Sequence, residues 1–173
     1  MLNIAIAGNP NSGKTTLFNL LTGSNQKVGN WPGVPGEHKE GLYIKDKNIN
    51  FIDLPGIYSL SPYSPEEVVS REFIINQKPD AIINIIDSTN LERNLYLSTQ
   101  LIETNTPVIL ALNMHDILKD KIDTKMLSQI FGCPVVEISA LKATGIDKLV
   151  EVSKNHKSIP NKLNLFEADI LKS

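Results

Sequence analysis

The sequence has little of several residue types, and each shortage excludes a class of protein. Its 173 residues include one cysteine, Cys133, so an internal disulfide is impossible and a buried structural thiol is expected. No apolar run approaches the roughly 18 residues of a membrane span. The start, MLNIAIAG, lacks the basic flank of a secretion signal. A net charge of −2 and a pI near 5.9 disfavour nucleic acid as a partner. We therefore expect one soluble, cytosolic domain.

A second shortage is local. Between Ser24 and Ser59 the chain has no serine and no threonine. Within this stretch, NWPGVPGEHKEG (residues 30–41) contains two prolines and three glycines, which predicts a loop. A missing hydroxyl matters only in a protein that needs one here, so its meaning depends on the rest of the sequence.

Short apolar runs alternate with segments of helical period. Five runs rich in Ile and Val are apolar on consecutive residues, as strands buried on both faces should be: 2–8, 48–54, 81–87, 107–113 and 134–139. Residues 38–45 alternate more and predict an edge strand. Helices are predicted at 14–21, 65–76, 91–103, 124–131 and 146–156. This order predicts an α/β fold, with a six-stranded, mostly parallel sheet and helices on both faces.

The segment GNPNSGKT, residues 8–15, matches the phosphate-loop pattern G-x-x-x-x-G-K-[ST] between a predicted strand and a predicted helix. Its glycines let the backbone N–H groups and the positive end of the helix face an anion. Lys14 is expected to reach the β- and γ-phosphates, and the Thr15 hydroxyl to ligate Mg²⁺. A glycine-rich turn without ligand is the alternative. The predicted phosphate-binding residues are Gly8, Asn9, Pro10, Asn11, Ser12, Gly13, Lys14, Thr15 and Thr16.

The motif DLPG, residues 53–56, ends the predicted strand 48–54. An acidic residue at such a strand end, level with the phosphate loop, is placed to hold Mg²⁺ through water, which is the role we expect for Asp53. Asp-x-Pro-Gly is also a common turn. Gly56 can swing its backbone, so its N–H would sense a γ-phosphate. The predicted switch residues here are Asp53, Leu54, Pro55 and Gly56.

The motif NMHD, residues 113–116, ends the strand 107–113 and predicts guanine recognition. The Asp116 carboxylate would accept hydrogen bonds from guanine N1–H and the N2 amine, a donor pair that adenine lacks. Asn113 is expected to tie its loop to the phosphate loop and to meet N7. In SALKATG, residues 139–145, the Ala140 N–H is expected to donate to O6. A capping turn is the alternative for Asn113 and Asp116. The predicted guanine-binding residues are Asn113, Met114, Asp116, Ser139, Ala140 and Leu141.

Five motifs together resemble the amino-terminal GTP-binding domain of the FeoB family of prokaryotic ferrous iron transport proteins. They are GNPNSGKTTLFN (8–19), VGNWPGV (28–34), DLPGIYSL (53–60), NLERNLYL (90–97) and LNMHD (112–116). NLERNLYL is more specific than any general GTPase motif. The resemblance implies a Ras-like phosphate-loop GTPase fold, with five parallel strands, one antiparallel strand and five helices.

The resemblance also implies the context of the chain. Residues 2–156 would form the GTP-binding domain, the cytoplasmic domain of an inner-membrane protein. Residues 157–173 would form a tail leading toward a helical regulatory domain and a transmembrane iron-transport region, both missing from this sequence. An oligomer would form through the full-length protein. GTP and GDP are the expected ligands, with no nucleic acid.

By resemblance, Asn11 coordinates K⁺ between the phosphates, where a cation would offset charge developing on the β–γ bridge. A loop-stabilising role is the alternative for Asn11. After DLPG, where Ras-like enzymes carry a water-orienting glutamine, this chain has Ile57, whose alkyl side chain cannot position water. We therefore expect slow, Mg²⁺-dependent and K⁺-stimulated hydrolysis of GTP to GDP that regulates iron uptake.

The first switch loop of the family resembles NWPGV followed by Thr, Val and Glu, whereas this chain has Gly33, Val34, Pro35, Gly36 and Glu37. In the family that threonine gives its hydroxyl to Mg²⁺ and its N–H to the γ-phosphate, and Pro35 has neither group. Our hypothesis is that guanine nucleotide binds while loop closure over GTP is weakened. The alternatives are that a neighbouring N–H substitutes, or that the domain is a non-catalytic guanine-nucleotide sensor.

The sequence also bears on the placement of two further groups of side chains. Trp31 is either exposed as a docking surface on a mobile loop or packed on the edge strand of its own domain. The acidic residues Glu66, Glu67 and Glu72 are expected on the solvated face of a helix.

Overall fold

The computed structural model describes residues 1–115 and 122–156, which form a twisted sheet with helices on both faces. The strands are β1 (Leu2–Gly8), β2 (Gln26–Asn30), β3 (Glu37–Tyr43), β4 (Asp46–Asp53), β5 (Ala81–Asp87), β6 (Val108–Asn113) and β7 (Val135–Ile138). The helices are α1 (Lys14–Thr22), α2 (Pro65–Gln77), α3 (Leu91–Ile102), α4 (Thr124–Phe131) and α5 (Ile146–Asn155), with a 3-10 turn at Ser88–Asn90. No helix in these two ranges is long and apolar enough to cross a bilayer.

The strands lie in the order β2-β3-β4-β1-β5-β6-β7. Strand β1 pairs in parallel with β4 and β5, and β6 and β7 continue the parallel part. Strand β3 runs antiparallel to β4 and to β2. The α/β class is therefore confirmed, and the parallel strand ends collect the motif loops at one edge of the sheet.

The expected count of six strands was wrong, because the described part of the sheet has seven. The extra strand is β2, with the sequence QKVGN, and all its residues except Gln26 are exposed. A short strand exposed on both faces has no apolar alternation, so periodicity does not reveal it. It forms because β3 offers it a complete antiparallel register from Gln26–Gly41 to Asn30–Glu37.

Helix α2 begins with a reciprocal cap. The Ser64 hydroxyl accepts the Glu67 N–H (3.2 Å), as an N-cap side chain does, and donates to the Glu67 carboxylate (3.1 Å). The same carboxylate also accepts the Ser59 hydroxyl at 2.8 Å. The sequence suggested that Glu67 lies on a solvated helix face, and for this residue the expectation was wrong. Glu67 instead anchors the start of α2 to the chain before it.

The core lies in two layers, because neighbouring residues of each buried strand face opposite sides of the sheet. Residues such as Ala5, Ile82 and Leu110 pack with helices α2, α3 and α4. Their neighbours, such as Ile4 and Ile83, pack with α1 and α5. Each layer is thus built from alternate residues of the same strands.

Trp31, whose placement the sequence left open, and Cys133, which was expected to be buried, both lie in the first of these layers. The Trp31 ring stacks on His38 at 3.8 Å between ring centroids and meets the edge of Phe73 at 5.8 Å. Trp31 is therefore packed on its own domain. Burial raises the pKa of the Cys133 thiol to about 12, which agrees with a structural thiol.

A polar pair crosses the interface between strand β5 and helix α3. The Ser98 hydroxyl donates to the Asn84 carboxamide oxygen at 2.5 Å, and the Asn84 amide nitrogen lies 3.3 Å from the Ala7 carbonyl. Both side chains are fully buried. The pair therefore helps to fix the position of α3 on the sheet, because a shift of the helix would separate the Ser98 hydroxyl from the Asn84 oxygen.

We expect Ser98→Ala to lower the free energy of unfolding by about 1–3 kcal/mol, because it leaves the buried Asn84 oxygen without a donor. The double variant Asn84→Leu, Ser98→Ala should lose less than Ser98→Ala alone, since it removes both polar partners. Guanidinium unfolding of the three chains measures this. A double variant that is less stable than the single one would contradict the account.

Candidate functional site

The phosphate-loop segment joins the end of β1 to the start of α1 and packs closely on its surroundings. Gly13 has a φ of +100°, and a Cβ there would collide with the Asn113 side chain. A Cβ on Gly8 would lie 2.7 Å from Ile85 Cγ2 and 2.9 Å from Ser12 Oγ. Asn11 also has a positive φ, +65°, which asparagine tolerates better than most residues. The loop shape therefore requires small or permissive residues at these positions.

Polar groups of this loop lack partners within the described structure. Both amide atoms of Asn9 and the hydroxyl of Ser12 are buried without a hydrogen bond. Among the described residues, no side chain caps the start of α1. Thr15 and Thr16, in the first turn of this helix, are exposed. Unpaired buried groups and open helix N–H groups are costly unless a ligand or water satisfies them. This is the chemistry expected of an anion site.

Lys14 and Asp53 come together across the sheet edge. The Lys14 ammonium donates to the Asp53 carboxylate at 2.5 Å, and both side chains are buried. The lysine expected on phosphate and the carboxylate expected on Mg²⁺ therefore lie within one hydrogen bond of each other. Because both charges are removed from water, neither can be left without a counter-charge.

Asn113 joins three loops. Its amide nitrogen donates to the Ser12 carbonyl (3.0 Å), and its amide oxygen accepts the Ala140 N–H (3.0 Å). The next residue, Met114, is half-buried and donates its N–H to the Ile138 carbonyl at 2.8 Å. Asn113 is thus tied to the phosphate loop as the sequence suggested, while its contact with guanine N7 stays a prediction.

The guanine-binding residues are only partly described. The Ala140 N–H is engaged by Asn113, so its expected donation to O6 stays a prediction and requires this bond to be shared or released. Ser139 exchanges two backbone hydrogen bonds with Thr144, and Leu141 is 89% exposed at the tip of the turn. Asp116 lies outside the described residues.

His115, the last described residue of this segment, contacts the end of a neighbouring strand. His115 Nε2 lies 3.1 Å from the Asp87 carboxylate, which also accepts the Thr89 hydroxyl at 2.7 Å. Asp87 ends β5, next to the strand that carries Asn113. No role was predicted for Asp87 from the sequence, although its position at a strand end beside the motif strands was an available signal.

The motif DLPG runs along the phosphate loop. The Leu54 N–H donates to the Ile6 carbonyl (3.1 Å), and the Ile57 N–H donates to the Gly8 carbonyl (3.0 Å). A Cβ on Gly56 would lie 3.2 Å from Pro10 Cα. Pro55, like Gly56, is half-buried. The side chain of Ile57 is 2% exposed and packs in the core, so it does not face the phosphate loop.

The first switch loop is anchored through Trp31. Val34 is half-buried against the same core layer as Trp31, whereas Gly33, Pro35, Gly36 and Glu37 are exposed. A Cβ on Gly33 or Gly36 would meet open space. The structure thus brings the phosphate loop, DLPG and Asn113 together, and it leaves the tip of the first switch loop in solvent.

Helix α3 contacts the residues after DLPG, which sequence reasoning missed. The Arg93 guanidinium lies 4.1 Å from the centre of the Tyr58 ring. The Gln100 side chain accepts the Leu60 N–H (2.5 Å) and lies 3.3 Å from the Ser61 hydroxyl. Arg93 belongs to NLERNLYL, a family motif with no predicted chemical role, so the sequence did contain a signal for this contact.

We expect Asn113→Ala to speed hydrogen exchange of the Ala140 amide by about tenfold or more, because this buried N–H loses its acceptor. The amide of Ile138 in β7 serves as the internal reference. Exchange followed by mass spectrometry or NMR measures the ratio. An unchanged Ala140 rate would show that the Asn113 bond does not hold this loop.

Comparisons with known proteins agree with this arrangement. Residues 2–153 match the family model described as ferrous iron transport protein B. The Fe(2+) transporter FeoB of Salmonella typhimurium is 45% identical over 168 residues, which cover 92% of this chain and 22% of that protein. The chain thus spans about a fifth of the length of the curated relatives it matches.

Two solved structures have the same fold. A GDP-bound mutant of the S. thermophilus FeoB G-domain is 56% identical, with a TM-score of 0.87 over 94% of this chain and 64% of that one. The cytosolic domain of L. pneumophila FeoB is 44% identical, with a TM-score of 0.86 over 94% of this chain and 66% of that one. The chain belongs to the FeoB ferrous iron transport family and has the fold of its G-domain.

Proposed function

We propose that this chain binds GTP and GDP, hydrolyses GTP slowly, and so regulates ferrous iron uptake through a membrane region of a longer protein. One observation carries the proposal: Lys14, Asp53 and Asn113 meet at one sheet edge around a loop with unsatisfied polar groups. The GDP bound to the S. thermophilus G-domain, which is 56% identical, supports the same ligand here.

Binding would begin with an exchange of partners. Lys14 would leave the Asp53 carboxylate for the β- and γ-phosphate oxygens, so its buried charge stays compensated. The Asn9 amide, the Ser12 hydroxyl and the first N–H groups of α1 would gain the partners they lack within the described structure. The phosphates would thus satisfy several costly groups at once.

The oxygen donors here fit Mg²⁺. The Thr15 hydroxyl is exposed at the first turn of α1, and the Asp53 carboxylate, at the end of β4, is hydrogen-bonded to the preceding residue of that helix, Lys14. We propose that these two groups hold Mg²⁺, Asp53 through water, and that the ion neutralises phosphate charge when bound. The Asn11 carboxamide, exposed on the phosphate loop, is proposed to hold K⁺.

The protein itself offers little to orient the attacking water. Ile57, at the position of the water-orienting glutamine of Ras-like enzymes, turns its side chain into the core. Orientation would then fall to backbone groups near Gly56, which packs against Pro10. Slow hydrolysis is the expected result, and a non-catalytic sensor of guanine nucleotide is the alternative.

The proposal is tested by adding Mg²⁺ and either GTP or ATP to this chain, in K⁺ and Na⁺ buffers of equal ionic strength. We expect turnover of GTP alone, rising about tenfold or more in K⁺. We also expect GDP to be bound in preference to ADP by about 10⁴-fold or more. Binding of GDP without turnover in either salt would favour the sensor. Equal binding of GDP and ADP would refute guanine recognition.

The first switch loop gives a second test. We expect Pro35→Thr to strengthen binding of a non-hydrolysable GTP analogue about ten- to a hundredfold, because it restores an N–H and a hydroxyl. Binding of GDP should change by less than about twofold, since GDP has no γ-phosphate. Pro35→Ala, which restores the N–H alone, separates the two contributions. Equal gains for both nucleotides would contradict this account of the loop.

A further inference from the structure

We infer that helix α3 positions the γ-phosphate-sensing backbone of this domain, with Arg93 and Gln100 as positioning residues that set the preference for GTP over GDP. The two residues hold the segment 57–61, here named the post-DLPG segment. This inference rests on the proposed nucleotide binding. It identifies the part of the fold that would control the preference between the two nucleotides. It gives a role to NLERNLYL, the motif that GTP chemistry leaves unused.

The front end of the post-DLPG segment is fixed on the phosphate loop. The Ile57 N–H donates to the Gly8 carbonyl at 3.0 Å. The preceding residue, Gly56, approaches so closely that a Cβ there would lie 3.2–3.3 Å from Pro10 atoms. A small movement of residue 57 would therefore move the Gly56 N–H relative to the phosphate site.

The first contact on the α3 side is a cation–π pair. Arg93 lies 4.1 Å from the Tyr58 ring centre, well within the range of this interaction. Both side chains are exposed at the surface. At an exposed site such a pair accounts for a factor of about two to five in an equilibrium.

The second contact is a pair of hydrogen bonds from one side chain. Gln100 accepts the Leu60 N–H at 2.5 Å and donates to the Ser61 hydroxyl at 3.3 Å. Leu60 is 5% exposed, so its N–H has little access to water as a replacement partner. Loss of the Gln100 side chain should therefore change the equilibrium constant between the attached and released positions of this segment by a factor of about two to ten.

The spacing of Arg93 and Gln100 explains how one helix can contact the segment at two places. Arg93 and Gln100 are seven residues apart, close to two helical turns, so they lie on the same face of α3. The seat of α3 is in turn fixed by the buried Ser98–Asn84 hydrogen bond. The post-DLPG segment thus rests on a helix that is itself locked to the sheet.

This support matters more here than in a domain with a water-orienting glutamine. Ile57 offers no polar side chain, and Pro35 offers no N–H in the first switch loop. Recognition of a γ-phosphate then depends on backbone groups near Gly56. The position of those groups depends on the contacts at both ends of the segment.

The test measures dissociation constants for GDP and for a non-hydrolysable GTP analogue, with Mg²⁺, on the full chain. We expect Arg93→Met to weaken analogue binding about two- to fivefold and Gln100→Leu about two- to tenfold. Binding of GDP should change by less than about twofold. Arg93→Lys, which keeps a cation over the ring, should recover part of the loss. Tyr96→Leu, on an exposed residue of the same helix, serves as the matched control and should change neither constant.

Hydrogen exchange of the Leu60 amide gives a second readout that a role in folding alone would not produce. We expect this amide to exchange more slowly with the analogue bound than with GDP bound, and Gln100→Leu to abolish the difference. Thermal unfolding, followed by the emission of Trp31, the single tryptophan, checks that each variant is folded.

The outcomes separate the two proposals. A parent chain that binds no GDP would refute the proposed function, and the inference would fall with it. A parent chain that binds GDP, with variants that lose both nucleotides equally or neither, would refute the positioning role alone. Selective loss of the analogue, with Tyr96→Leu unchanged, is the result that supports it.

Discussion

The side chain of Asn113 bonds two loops at once, and the geometry of the whole site depends on those two hydrogen bonds. One carboxamide holds the phosphate loop through Ser12 and the loop after β7 through Ala140. It can do so because β1, β6 and β7 are parallel and end at the same edge of the sheet. Gly13 must lack a Cβ for Asn113 to come this close. The requirement for glycine at this position of the phosphate loop is thus set by protein packing.

The buried pair of Lys14 and Asp53 adds an electrostatic constraint. A buried ammonium or carboxylate without a partner is costly, so the two groups can separate only if each gains a new counter-charge. A phosphate paired with a divalent cation offers both counter-charges together. Proposed binding is therefore an exchange of partners, and a ligand that brings only one of the two charges would leave the other side chain uncompensated.

Much of the fold could be predicted because long apolar strands and periodic helices carry a strong signal. The five parallel strands lie within one or two residues of their predicted bounds. Strand β2 could not be predicted, because its exposed residues show no alternation and its pairing with β3 is a long-range contact. For Glu67, the sequence shows the possible cap with Ser64 but not the hydrogen bond to Ser59, which depends on how the chain folds back before α2.

The candidate site divides in the same way. Local motifs identified Lys14, Asp53 and Asn113, because each motif places its residue at a strand end. The contacts between motifs were beyond the sequence, since they depend on how elements stack. Arg93 over Tyr58 and Gln100 on Leu60 are such contacts, made between segments more than thirty residues apart. A family-specific helix without a chemical role was the only sign of them.

Trp31 anchors the first switch loop in the core layer that also buries part of the post-DLPG segment. Its ring lies in the same apolar layer as Ile57 and Leu60, so the first switch loop and the post-DLPG segment are both anchored in one layer of the core. Because Pro35 cannot donate a hydrogen bond, the first loop gains little by closing on its own. Under the proposed function, the response of this domain to a γ-phosphate would therefore depend mainly on the backbone near Gly56.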